Sequence, residues 1–317
     1  MTPSDQKTWI QREAEKNGFE RVAIAKPGPI GRATYLRQWL ESGKAGTMAY
    51  LRRYLQQRLD PTILLPGAQS VILFSLSYHQ PRPPDPTADD AARGRVAMYA
   101  WGDDYHKIMK RKIFRIADAL REQWPDQFEA KVCVDTAPLL EREWAAIAGI
   151  GWIGKNTLVL NERDGSYFFL GALVTTLALP PDEPAVDHCG TCTACLDACP
   201  TNAFPAPYQM DASRCISYLT IEHHGDIDAS LKPAMGDWLF GCDICQEVCP
   251  HNRNAPHTRE LGFAIRPPGP APRLEGIAGW SKEDYRTQLR ASAGKRARLE
   301  MWQRNARIAI ENKSRSS

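Results

Sequence analysis

Apolar and polar positions along the first 180 residues switch repeatedly between helical and strand periods. Residues 5–17 repeat at helical spacing, with Ser4 placed to cap the start and Gly18 just past the end. Glu20–Ala25 reads as a short strand. Residues 46–58 (GTMAYLRRYLQQR) return to helical spacing, and Asp60-Pro61 stops that helix, because a residue before proline is pushed out of helical geometry. Ser70–Ser77 (SVILFSLS) is mostly apolar and rich in strand formers, as suits a strand covered on both faces. The segment His79–Arg93, with QPRPPDPTADD at its centre, holds too much Pro and Asp for a regular element.

Helical periodicity resumes over Tyr105–Gln123. Lys131–Val134 predicts a strand, and Pro138 a first-turn proline opening a helix over Leu139–Ala148. A glycine-studded turn follows at Gly149–Gly154, then two strands over Thr157–Asn161 and Ser166–Leu179. Pro180-Pro181 and a run of acids mark one boundary, and Arg266-Pro267-Pro268-Gly269-Pro270 a second break. The C-terminal remainder reads as short helices, ending with Arg298–Ile310, where Leu299, Trp302, Ala306 and Ile310 recur near helical spacing. The predicted fold is α+β: a mixed α/β domain over 1–180, a ferredoxin-like segment over 181–255, and a short basic helical region over 256–317.

Composition adds the setting. Hydrophobic residues make up 43% of the 317 and charged residues 24%, enough for a full core in a soluble chain. No stretch reaches the ~20 apolar residues of a membrane span. The start, MTPSDQKTWIQREAEK, lacks the apolar core of a secretory signal. We therefore expect a cytoplasmic protein, where clustered cysteines point to metal or redox chemistry instead of disulfides. The net charge of +3 is unevenly spread. Residues 251–317 hold 14 Lys/Arg against 6 Asp/Glu, while residues 181–250 hold 2 against 11. A basic tail suits a polyanion, although a solvated helix face has the same composition.

The cysteines carry the sharpest signal. Cys189-x2-Cys192-x2-Cys195-x3-Cys199-Pro200 has the bacterial ferredoxin spacing for [4Fe–4S] ligation, and Cys242-x2-Cys245-x3-Cys249-Pro250 repeats its latter part. In two-cluster ferredoxins the fourth cysteine of one run serves the other cluster. Crossed in that way, Cys189, Cys192, Cys195 and Cys249 hold one cluster, and Cys199, Cys215, Cys242 and Cys245 the other. Zinc is the competing assignment, and structural zinc prefers paired CxxC knuckles separated by a longer loop. Cys133 sits in an apolar strand and reads as a small core residue. A ferredoxin needs only ~60–100 residues, so the 180 ahead of these motifs use the electrons.

Further motifs carry a resemblance. Tyr99-Ala-Trp-Gly-Asp-Asp-Tyr-His106, Val134-Asp135-Thr-Ala-Pro138, Gly151-Trp-Ile-Gly-Lys-Asn-Thr157 and the two cysteine runs resemble the epoxyqueuosine reductases. So do Asp60-Pro61, Leu64-Leu65-Pro66-Gly67 and Arg304-Asn305-Ala306, in the same order over nearly the whole chain. The resemblance implies a cobalamin- and iron–sulfur-dependent enzyme that reduces epoxyqueuosine to queuosine at the tRNA wobble position, the last step of queuosine synthesis. It implies that residues 1–180 bind cobalamin base-off, in a domain similar to that of reductive dehalogenases. Arg58, Met98, Asp135, Lys155, Asn156, Val159, Leu170 and Ser217 then fall beside the cofactor.

Asp135 falls on the family's proton-donor position, where partial burial is expected to raise its pKa toward the working pH; from the residues alone, an Asp before Thr-x-Pro is an N-cap. Tyr105 and His106 are secondary candidates. The implied partners are the anticodon loop of tRNA and a low-potential electron donor such as a flavodoxin or ferredoxin, with the chain a monomer away from membranes. Longer relatives continue into helical repeats that hold tRNA, so here the basic C-terminal helices, Lys295, Arg296 and Arg298 among them, are expected to take that task. The rival readings are a reductase of another substrate, akin to reductive dehalogenases, a non-catalytic iron–sulfur electron carrier, and a zinc-stabilised tRNA-binding protein.

Overall fold

The computed structural model describes residues 2–82, 90, 92–126 and 128–316; the centre of the Pro- and Asp-rich segment, 83–89, lies outside them. In chain order the helices are α1 Pro3–Lys16, α2 Ala33–Glu41, α3 Tyr50–Arg53, α4 Leu55–Leu59, α5 Tyr105–Gln123, α6 Glu141–Ile147, α7 Ala194–Asp197, α8 Ile216–Ile221, α9 Ile244–Glu247, α10 Leu274–Ala278, α11 Lys282–Gln288 and α12 Leu299–Ser316. The strands are β1 Arg21–Ala25, β2 Ser70–Ser77, β3 Arg95–Val96, β4 Ala130–Cys133, β5 Trp152–Ile153, β6 Val159–Leu160, β7 Phe168–Thr175 and β8 Trp238–Phe240.

β1, β2, β7 and β4 form one sheet in that order, antiparallel throughout. All eight residues of β2 are buried. The two-residue side-chain period divides them: Ile72, Phe74 and Leu76 face a core that includes α1 and α5, while Val71 and Leu73 face one that includes α6. The first core does not stop at the sheet. It runs on through Phe240, Leu274 and Phe263 to Met301, Trp302, Ala306 and Ala309 of α12. Trp302 stacks on Phe240 with ring centroids 5.1 Å apart, and its indole N–H donates to the Gly294 carbonyl at 3.0 Å. The parallel pair β3–β8 ties the region before Tyr105 to the cysteine segment.

Several boundaries differ from expectation. The first helix begins at Pro3 and is capped by Thr2 in a capping box with Asp5, so Ser4 is not the cap. The helix expected over 46–58 is two short ones, broken where Tyr54 leaves helical geometry (φ −121°, ψ 37°). Pro138 opens no helix: a turn occupies 135–138 and α6 starts at Glu141. The final helix runs on to Ser316, with Ile310 36% exposed and its buried positions at Met301, Trp302, Asn305, Ala306, Ile308 and Ala309.

Candidate active site

Asp135 follows the last residues of β4 and adopts φ 52°, a left-handed conformation that non-glycine residues rarely take. The Thr136 N–H donates to the Val134 carbonyl at 2.6 Å, closing a three-residue turn around it. Turns of this kind are strained and persist where the surroundings hold them. Asp135 is therefore not a helix cap. Its side chain, 58% exposed, projects from that turn toward His106, whose Nε2 lies 2.8 Å from its Oδ2.

His106 belongs to the first turn of α5. Asp104 caps that helix: its Oδ1 accepts the His106 backbone N–H at 3.0 Å and lies 2.7 Å from the ring Nδ1. Each ring nitrogen thus faces a carboxylate, the arrangement of an imidazolium donating twice. The Tyr105 ring stacks on His106 at 4.0 Å and, nearly parallel, on Phe169 of β7 at 4.1 Å. Burial alone would lower the His106 pKa, but the two carboxylates reverse this and raise it to about 9. Burial tends to raise the Asp135 pKa, yet the hydrogen bond and charge of His106, with Arg296 and Tyr105, hold it below the ordinary value. The expected upward shift of Asp135 is thus overturned. The partner, not the burial, decides the sign.

Sequence reasoning missed Glu141, and it singled out Arg58 and Arg296 without their placement here. Glu141, at the start of α6, faces the Asp135 backbone N–H, and burial pushes its pKa up to about 8. Among the described residues its Oε1 is buried without a hydrogen-bond partner, as is Nε of Arg58, 7% exposed on α4. The Arg58 charge reaches both Glu141 and Tyr50. From the C-terminal region, Arg296 reaches back to this side, donating to both Glu222 carboxylate oxygens at 2.7 and 2.8 Å, with its guanidinium over the Tyr50 ring.

The other residues expected around the cofactor divide. Lys155 Nζ donates to the carbonyls of Gly190 and Cys192 at 2.6 and 2.9 Å, so its ammonium clamps a cysteine loop instead of facing Asp135. Asn156 approaches the Cys245 carbonyl at 3.5 Å. Met98 and Val159 are buried in the two cores, and Met98 accepts the Gln80 N–H on sulfur. Leu170 lies half-buried on β7, and Ser217 follows Cys215 with its N–H directed at that thiol. The Gly151–Thr157 turn is the β5–β6 hairpin. A Cβ on Gly151 would lie 2.0 Å from the Leu160 carbonyl oxygen, so only glycine fits.

All nine cysteines are free thiols. Their mutual electrostatics fall into two neighbourhoods: Cys195 and Cys249 with Cys189 and Cys192, and Cys215, Cys242 and Cys245 with Cys199. Cys195 and Cys245 also feel each other, so the two abut. Burial, then the neighbouring thiolates, pushes Cys195 up to about 11. Such crowding of potential anions is relieved by bound cations. Donors already point at sulfur: the Trp152 indole N–H lies 3.4 Å from Cys189 Sγ, and the Ala203 N–H 3.4 Å from Cys199 Sγ. Cys133 is buried at the end of β4, away from both groups. Among the described residues no helix is long and apolar enough to cross a membrane.

A sheet domain presenting an acid–base pair, joined to paired ferredoxin-spaced cysteine loops, defines the class of iron–sulfur oxidoreductases. Comparison with known proteins narrows it. Residues 188–252 match the model of a 4Fe-4S double cluster binding domain, and residues 58–136 that described as "Epoxyqueuosine reductase QueG, DUF1730". The chain is 38% identical to the epoxyqueuosine reductase of Xanthomonas campestris pv. campestris over 98% of its own length and 88% of that protein's. It is 41% identical to that of Pseudomonas aeruginosa over 93% and 82%. An epoxyqueuosine reductase crystallised with an epoxyqueuosine-modified tRNA stem loop superposes with a TM-score of 0.90 at 28% identity, covering 98% of this chain and 82% of that one. The Streptococcus thermophilus enzyme superposes at 0.87 with 32% identity, over 96% and 81%. The chain belongs to the epoxyqueuosine reductase family, and it is an oxidoreductase.

Proposed function

We propose that this chain reduces epoxyqueuosine in a tRNA anticodon loop to queuosine, with Asp135 giving a proton to the epoxide oxygen as it opens. The observation that carries the reading is the strained Asp135 turn held against His106, in a chain that also carries cysteine loops of double-cluster spacing. Two [4Fe–4S] clusters fit the thiols: Cys189, Cys192, Cys195 and Cys249 would hold one, and Cys199, Cys215, Cys242 and Cys245 the other. The grouping of the thiols and the N–H donors aimed at Cys189 and Cys199 support this assignment.

Cobalamin fits the Asp135 side of the molecule. The unpartnered buried atoms of Arg58 and Glu141 and the half-exposed Asp135 carboxylate are polar groups that an amide-rimmed ligand satisfies. Arg58, Asp135, Leu170 and Ser217 would line it, with Glu141 joining them. Lys155 and Asn156 would act on the cysteine loops instead. When bound, cobalamin supplies a low-potential metal able to deliver electrons to the epoxide carbon.

The protein's part is to orient the nucleoside, exclude water and supply the proton. A positioned acid contributes about 10²–10⁴-fold in rate. The Bacillus subtilis relative has been solved with its catalytic aspartate loop swung out of the active site, which supports a loop around Asp135 that moves during the cycle. Partners of the chain would be tRNA, met through the basic C-terminal region, and a low-potential one-electron donor.

The test is an anaerobic assay of the reconstituted chain with cobalamin and an epoxyqueuosine-bearing anticodon stem loop. Queuosine among the digested nucleosides supports the reading. Its absence with both cofactors bound refutes it.

A further inference from the structure

Removing an epoxide oxygen as water takes two electrons and two protons. The low-potential donor supplies the electrons through the clusters. One proton neutralises the alkoxide released when the first C–O bond breaks, and the second leaves with that oxygen as water when the other C–O bond breaks and the alkene forms. A single carboxyl carries one proton at most, so Asp135 must be refilled within a turnover. The residues that can do this are in contact with it.

We propose that Asp104, His106 and Asp135 form one proton-delivery chain, in which Asp135 hands protons to the substrate oxygen, His106 Nε2 refills Asp135, and Asp104 holds the ring for that transfer. This rests on the reading of Asp135 as the donor and deepens it. The geometry is continuous: Asp104 Oδ1 to Nδ1 at 2.7 Å, then Nε2 to Asp135 Oδ2 at 2.8 Å. Stacking of Tyr105 on both His106 and Phe169 restricts the ring's rotation. The ring is a quarter exposed, so it can recover a proton from water between the two transfers. Asp104 stays ionised throughout, keeping Nδ1 protonated and Nε2 the exchanging nitrogen. Asp104 and His106 act through Asp135 and are positioning and relay residues.

The charge balance supports the same order. In the resting pair the proton sits on the imidazole and the Asp135 carboxyl is ionised, as the shifts of the two groups in opposite directions indicate. The groups facing the pair include Asp104, Tyr105 and Lys107 from α5 and its cap, Tyr99 before it, Tyr50 from α3, Glu141 from α6 and Arg296 from the C-terminal turn. The Tyr105 and Tyr99 hydroxyls keep their protons too tightly to give one up near neutrality, and of the carboxyls named Glu141 is the one that holds a proton there. It is the rival source.

The working form carries the His106 proton, so turnover falls as pH rises through that group's midpoint, about 9. Removing the Asp104 charge should move this limb about one unit toward lower pH. Because Asp104 also caps α5, the variant to make is Asp104→Ser, which keeps a capping oxygen without the charge. The measurement pairs the pH profile of kcat/KM with an NMR titration of His106 in the oxidised holoenzyme, the signal assigned by its loss in His106→Gln.

In Asp104→Ser we expect both midpoints to fall together, with cofactor content and KM for the stem loop unchanged, and Asp104→Glu to restore the limb. An unmoved limb, or one moved by Glu141→Gln and not by Asp104→Ser, overturns the relay. Asp135→Asn run in parallel separates the two claims. Full turnover there defeats the Asp135 reading itself, whereas lost turnover with an unmoved Asp104→Ser limb defeats only the relay.

Discussion

The indole N–H of Trp152 points at Cys189, 3.4 Å from the sulfur, from within a hairpin that has no cysteine of its own. Hydrogen bonds to cluster sulfurs raise the reduction potential by stabilising the more negative, reduced state. Trp152→Phe keeps the ring that packs edge-on against His188 and His251 and removes the donor. An EPR-monitored redox titration should find one of two clusters shifted to more negative potential and the other unchanged. Two unshifted clusters would mean that this bond does not tune the site.

Lys155 separates two accounts of the same residue. Family position suggests a contact to cobalamin, but its ammonium is spent on the carbonyls of Gly190 and Cys192. Lys155→Met should therefore lower iron and sulfide content after reconstitution while leaving cobalamin affinity near wild type. Weakened cobalamin binding with full cluster content would favour the first account.

The basic tail is less free than its composition suggests. Arg296 is held by Glu222, and Arg304 donates to the carbonyls of Leu219, His223 and Gly225. Lys295 and Arg298 are exposed. Replacing both with Ala should weaken stem-loop binding and lower the salt dependence by about one unit of slope for each phosphate that is no longer neutralised. An unchanged slope removes this patch from the tRNA surface.

Trp302 couples the C-terminal helix to the first core, 1% exposed and stacked on Phe240. Trp302→Ala should cost about 3–5 kcal/mol, through reduced burial, a cavity and an unpaired Gly294 carbonyl. Urea unfolding monitored by circular dichroism measures it. A cost under about 1 kcal/mol would mean that α12 is only loosely docked.

Much of this was legible in the residues. The mostly apolar β2 and the long amphipathic α5 declare themselves because burial on two faces and on one stripe leaves recognisable patterns. α2 does not, because Arg32 offers no side-chain cap where a Ser or Asp would mark the start. Strand order and antiparallel direction are long-range facts that no local pattern encodes. The cysteine runs were readable because cluster ligation imposes spacing along the chain. Around Asp135 several residues could be singled out, but not their protonation: the sign of its shift depends on His106, 29 positions away, and Glu141, with the Arg58 charge beside it, joins the site only in three dimensions.

The central claim is that Asp135 delivers the proton for epoxide opening, and Asp135→Asn tests it most directly. The variant keeps the side chain's size and can still accept from His106, so the fold and both cofactor sites should survive. With iron and cobalamin contents matched to wild type, anaerobic turnover of the epoxyqueuosine stem loop should fall by about 10²-fold or more. Near wild-type formation of queuosine by that variant would contradict the account.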